Sequence, residues 1–89
     1  MDTQNLSLYK FDGCPYCHRV LAALERLGLE IELRDILTHP GYRRELVEAT
    51  GRQTVPCLRI QEPSGGVRWM HESLDIIAYL ERGFAGGAR

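Results

Sequence analysis

The sequence predicts an α/β fold, a mixed sheet of four strands flanked by helices in the order β-α-β-α-β-β-α. Three observations carry this expectation. Short apolar or alternating runs (Leu6 to Phe11, Leu29 to Ile36, Cys57 to Ile60) are separated by stretches with helical spacing. Pro63-Ser64-Gly65-Gly66 reads as a hairpin turn joining the third run to Val67-Arg68-Trp69-Met70. A chain of 89 residues is also too short for the crossovers of an all-parallel sheet, so two parallel strands plus an antiparallel hairpin is the economical arrangement.

In chain order, residues 1–5 are polar and expected to fray. Leu6 to Phe11 is expected as a central strand covered on both faces. The helix from Pro15 to Leu27 carries an apolar stripe at Val20, Leu21, Leu24 and Leu27, leaves Arg19, Glu25 and Arg26 to solvent, and ends at Gly28 in a left-handed cap. Leu29 to Ile36 alternates as a strand with one wet face, which makes the opening a right-handed parallel βαβ unit. His39-Pro40-Gly41 opens a short charged helix, about Tyr42 to Ala49, with Tyr42, Leu46 and Ala49 inward; it is expected to be the least firmly held element. After the loop Gly51-Arg52-Gln53, Pro56 stands just before the third strand, a position where proline is tolerated. The last helix begins near Ser73, with a stripe at Leu74, Ile77 and Leu80, and ends at Glu81-Arg82-Gly83; Ala85 to Arg89 is expected as a loose tail.

Composition bounds the function. An apolar fraction of 44% and a charged fraction of 26% describe one ordinary globular domain. A net charge of −1 provides no field for nucleic acid or acidic membranes, and neither is expected as a partner. No apolar stretch approaches membrane-spanning length, and no apolar leader follows the polar start. Three cysteines have the wrong parity for a disulfide scaffold, so a reducing, cytoplasmic setting is expected.

The chemistry concentrates in Cys14-Pro15-Tyr16-Cys17, between the first strand and the first helix. Unpaired amides and the dipole at a helix start favour negative charge, so Cys14 is expected to hold a thiolate near neutral pH. Cys17, one turn inward, can resolve a mixed disulfide formed on Cys14. Pro15 suits the first helical position, where its missing N–H costs nothing. A C-x-x-C pair is also half of a zinc site, but only Cys57, His18, His39 and His71 remain as further ligands. An inert pair is the third possibility; the strand–turn–helix context favours a redox dithiol. Cys57 reads as a small buried hydrophobe or as a further redox-sensitive thiol, Trp69 and Met70 as core, and His18 as solvent-facing.

Three motifs in this order resemble the thioredoxin superfamily, and within it the glutaredoxins and the amino-terminal, glutathione-binding domain of glutathione transferases. Cys-Pro-Tyr-Cys is similar to the dithiol glutaredoxin motif. Thr54-Val55-Pro56 is similar to a Thr-Val-Pro whose proline is cis and faces the active cysteine. Glu72-Ser73, followed by Leu74-Asp75-Ile76-Ile77-Ala78-Tyr79-Leu80, is similar to the transferase segment that holds the γ-glutamyl end of glutathione. The resemblance, from Leu6 to Glu81, implies a single thioredoxin-like domain over residues 1–89. It implies a thiol–disulfide oxidoreductase in electron transport and redox homeostasis, with Cys14 and Cys17 catalytic. Glutathione is implied as co-substrate, with no permanently bound cofactor and no metal.

The groove residues implied are Tyr16 as a wall, Thr54, Val55 and Pro56 for the cysteinyl backbone, and Arg52 for the glycyl carboxylate. Glu72 takes the γ-glutamyl ammonium and Ser73, as helix cap, the carboxylate. Partners are then glutathione and disulfide-bonded or glutathionylated proteins, with the chain acting as a monomer. Two departures stand out. The lysine that many dithiol glutaredoxins carry three residues before the first cysteine is displaced here to Lys10, and Phe11 takes its place. A strand residue one step out points to the opposite face, away from the sulfur. The Gly-Gly-x-Asp segment is replaced by His71-Glu72-Ser73, and a transferase-type helical second domain is not expected. The alternatives are a glutathione-ligated iron–sulfur cluster carrier and a reductase-coupled electron donor.

Overall fold

The computed structural model describes residues 4–85, with side chains through residue 83. It is built as β1 (Leu6–Lys10), α1 (Pro15–Leu27), β2 (Glu32–Asp35), α2 (Pro40–Thr50), β3 (Cys57–Gln61), β4 (Val67–Met70) and α3 (Ser73–Leu80), closed by a π-helical turn over Glu81–Ala85. The four strands form one mixed sheet in the order β2-β1-β3-β4, with β1 parallel to β2 and antiparallel to β3, and β3 antiparallel to β4. This is the β-α-β-α-β-β-α thioredoxin-like arrangement expected from the sequence. The expectations for residues 1–3 and 86–89 lie outside the described residues.

Strand alternation divides the core in two. Leu6, Leu8, Leu58 and Ile60 pack against Val20 and Leu24 of α1 and Ile76 and Leu80 of α3. Tyr9 and Cys57 turn to the other side and join Cys14, Cys17, Ile36, Leu46 and Val55. All three cysteines thus belong to the second cluster, together with Leu46 of α2.

Several elements differ from their sequence reading. β2 begins at Glu32 rather than Leu29 because Gly28 and Leu29 are used to close α1. Gly28 sits at φ 70°, its N–H donates to Glu25 O, and Leu29 N–H donates to Leu24 O at 2.9 Å. That is the paired closure of a Schellman cap, and it takes up the first residues of the run. In α2, Leu46 is the buried side chain and Tyr42 is half-buried, but Ala49 is exposed. In α3 the buried stripe is Ser73, Ile76 and Leu80, while Leu74 is 67% exposed. Asn5, expected to fray, pairs with the end of β3: Gln61 N–H donates to Asn5 O, and the Asn5 amide donates to Gln61 O.

α2 is tied to the sheet by a polar network. The Tyr9 hydroxyl donates to Glu45 at 2.8 Å, and Arg34 donates to Tyr9 Oη, Glu45 and Glu32. Ser7 completes it by donating to Glu32 at 2.9 Å. Burial, aided by the Glu45 carboxylate, pushes the Tyr9 hydroxyl up to about 12. Coverage of β2 increases along the strand, with Arg34 and Asp35 half-buried, while Leu33 is 45% exposed. Among the described residues, no helix is long and apolar enough to cross a membrane.

Candidate active site

The site gathers at one rim of the sheet, where β1 ends, β3 begins and β4 ends. The loop after β1 is pinned before the cysteines: Cys14 N–H donates to Phe11 O, and His18 Nε2 bonds the Asp12 carbonyl oxygen. Cys14 is the cap residue of α1, with Pro15 at the first helical position. Its thiol, 7% exposed, points across to the loop before β3 and donates weakly to the Val55 carbonyl, 3.9 Å away. The Val55–Pro56 peptide bond is cis.

Cys17 is fully buried, and its thiol is pushed up to about 12, chiefly by that burial and further by a hydrogen bond to Cys14. The two cysteines of the pair therefore differ in access. Cys57 is equally buried, and burial pushes its thiol up to about 12. His71 Nε2 lies 3.9 Å from the Cys57 sulfur, and burial, with the Arg52 charge, holds the imidazole below its usual range. All three cysteines are free thiols.

Beside Cys14 runs a groove of about 310 Å³ lined by Tyr16, Arg19, Thr54, Val55, Pro56, His71, Glu72, Ser73 and Leu74. Six residues singled out from the sequence (Tyr16, Thr54, Val55, Pro56, Glu72, Ser73) meet there although they come from three separate segments. Cys14 does not line this wall itself; Val55, its neighbour, does. Arg52 is exposed and is not among the lining residues, although its charge acts on His71 and Cys57.

Three lining residues escaped the sequence reading. Leu74 was assigned to the core on helical spacing, and Arg19 to solvent. His71 stands in the sequence reading as a possible metal ligand and as part of a replaced segment, not as a groove residue. Arg19 stands one turn beyond Tyr16, and that spacing is the signal that places both on one helix face. The Ser73 expectation also changes. Glu72 is the cap residue and Ser73 the first helical residue, and no side chain caps the helix, so the Ser73 hydroxyl is not used as a cap.

Lys10 is held by two carboxylates, although its charge also acts on the Cys17 thiol. Its ammonium lies 2.7 Å from Asp12 and 3.5 Å from Asp35, which raises its pKa. Among the described residues no group of three or more His, Cys, Asp or Glu could hold a metal ion.

This geometry has counterparts. The glutaredoxin family model matches residues 6–63. Glutaredoxin 3 of Escherichia coli K12 is 36% identical over 52 residues, 58% of this chain and 63% of that protein. The chain thus matches less than two thirds of the length of its curated relatives. Among solved structures, the trimeric glutathione transferase TDR1 of Leishmania is 27% identical with a TM-score of 0.73, over 91% of this chain and 18% of that one. An epsilon-class glutathione S-transferase of the housefly Musca domestica is 26% identical with a TM-score of 0.68, over 89% of this chain and 35% of that one. An Omega-class transferase of Trametes versicolor shares the fold at a TM-score of 0.74 and 24% identity, over 94% of this chain and 35% of that one. A family match over most of the chain, together with a cysteine at a helix start facing a cis-proline loop, leads to one conclusion: the chain belongs to the glutaredoxin family.

Proposed function

We propose that the protein is a glutathione-dependent thiol–disulfide oxidoreductase acting through Cys14 and Cys17, as a single domain. One observation carries this reading. Within one C-x-x-C pair, Cys14 stands at the helix start beside Val55 and the groove, while Cys17 is sealed behind it as a thiol. That asymmetry fits a nucleophile and a resolving thiol.

The Cys14 thiolate attacks the glutathione sulfur of a protein–glutathione disulfide. A Cys14–glutathione disulfide forms, the old S–S bond breaks, and the protein thiolate leaves and takes a proton from water. A second glutathione thiolate attacks the glutathione sulfur of that adduct, so glutathione disulfide departs and Cys14 returns as thiolate. With a protein disulfide, Cys14 forms a mixed disulfide and Cys17 loses its proton to attack the Cys14 sulfur. The reduced protein leaves behind a Cys14–Cys17 disulfide, and two glutathione molecules reduce it to the dithiol as they become glutathione disulfide.

The groove supports glutathione as the co-substrate. Val55 offers its backbone to the cysteinyl unit, as in strand addition. Glu72 supplies an anion for the γ-glutamyl ammonium, and Ser73 at the start of α3 a donor for its carboxylate. Arg52 lies outside the lining, so a role at the glycyl carboxylate requires its side chain to swing inward. Tyr16, 57% exposed, walls the groove. A reducing compartment suits three free thiols.

The test is turnover of a glutathionylated peptide. Cys14→Ser is expected to abolish it, and Cys17→Ser to retain it while losing reduction of protein disulfides. Appreciable turnover by Cys14→Ser would remove the assigned nucleophile.

A further inference from the structure

We propose that Arg19 is a specificity-determining residue of the groove, taking the α-carboxylate at the γ-glutamyl end of glutathione while Glu72 takes the ammonium on the same carbon. The inference rests on the glutathione reading above and deepens it.

Arg19 lines the groove together with Glu72 and Ser73, so a guanidinium on α1 and a carboxylate at the start of α3 border one cavity of about 310 Å³. Its guanidinium carbon lies 5.6 Å from the centre of the Tyr16 ring, a cation–π contact that braces a long side chain against the groove wall. Among the described residues no ion pair involves Arg19, and of the several arginines without one it is Arg19 that lines this groove. The sequence explains why it has none. The positions three and four away on α1 are Pro15, Tyr16, Ala22 and Ala23, and none is acidic. Arg19 is thus a braced cation with no carboxylate, and its planar fork suits bidentate capture of one.

The pairing of charges selects a ligand class. An ordinary peptide amino terminus carries an ammonium but has its α-carboxyl tied up in the chain. A γ-linked glutamyl residue leaves ammonium and carboxylate free on one carbon. A groove lined by both an acid and an arginine complements that zwitterionic head, and Arg19 adds the charged contact to the carboxylate that Ser73 meets at the start of α3.

The experiment titrates the reduced full chain, its Arg19→Gln and its Arg19→Lys variants by calorimetry. The ligands are S-methylglutathione, which cannot exchange, and the same molecule with its glutamyl α-carboxylate converted to a carboxamide. Arg19→Gln is expected to weaken S-methylglutathione about tenfold, as for one exposed charge-assisted contact, and to leave the carboxamide within about twofold. Arg19→Lys, which keeps charge but loses the fork, falls between. Equal loss for both ligands would assign Arg19 to bracing Tyr16 alone and overturn the proposal; unchanged affinity for S-methylglutathione would overturn it too. Absence of saturable binding by the unaltered protein would overturn the glutathione reading together with this one. Saturable binding that Arg19→Gln leaves untouched removes only the role of Arg19.

Discussion

The sulfur of Cys14 and the carbonyl oxygen of Val55 lie 3.9 Å apart, although 41 residues separate them in the chain. That approach joins the end of β1 to the start of β3, and everything else in the site is arranged around it. Cys14 keeps a small exposure beside the Val55 backbone, whereas Cys17 and Cys57 are fully buried.

Alkylation of the native, reduced protein should therefore be selective. Iodoacetamide at pH 8 is expected to label Cys14 and spare Cys17 and Cys57, whose thiols are pushed up to about 12. A thiol so raised is ionised only to about one part in ten thousand at that pH. Peptide mapping by mass spectrometry reads the result, and comparable labelling of all three would contradict the burial described.

Alkaline pH should weaken the fold in a defined direction. The thiols of Cys17 and Cys57 titrate at about 12 in the folded chain against an ordinary 9.0, and the Tyr9 hydroxyl at about 12 against 10.0. Raised values mean that the folded state favours the neutral forms. The stability they contribute is fully present below the ordinary values and is lost as pH rises through the folded ones. Urea midpoints under reducing conditions should fall from about pH 9 upward. Cys57→Ala should show a shallower decline, and an unchanged slope would remove the thiol from the account.

Leu46 should dominate the attachment of α2, because it is the one side chain of that helix that is buried. Leu46→Ala is expected to cost about 2–5 kcal/mol in urea unfolding. Tyr9→Phe, which removes the hydroxyl between Glu45 and Arg34, should cost about 1–2 kcal/mol. A loss below about 0.5 kcal/mol for Leu46→Ala would show that α2 is held by its polar network instead.

Glu72→Gln and Ser73→Ala address the groove rather than the sulfur. Each should raise the KM for glutathione several-fold with kcat little changed, since uniform binding is what is removed. A fall in kcat with KM constant would place these residues in the chemical step.

Much of this architecture was legible in the sequence where local chemistry decides the outcome. Pro15 and Gly28 bracket α1 because one residue fits only a helix start and the other relieves a left-handed end. The hairpin and β4 followed in the same way. The Cys-Pro-Tyr-Cys, Thr-Val-Pro and Glu-Ser segments were each visible, and their convergence on one rim follows from the strand order. What stayed hidden depends on three-dimensional context. Leu74 has the spacing of a core residue yet borders the groove, because α3 turns Ile76 and Leu80 to the sheet. The run from Leu29 alternates like a strand, but its first amide closes the preceding helix. Arg19 looked like any surface arginine, since periodicity cannot tell a cavity from open water. Ala49, expected inward, is exposed for the same reason, being placed by which way a helix face turns.

The hairpin between β3 and β4 turns at Pro63 to Gly66, and the strand pairing puts it at the far rim of the sheet from Cys14. Its turn residues are exposed, so a dye or tether attached at Ser64 would stand clear of both helical layers and of the sulfur. The molecule can therefore be anchored to a bead or an electrode by its blunt end, with the rim that carries Cys14 facing outward.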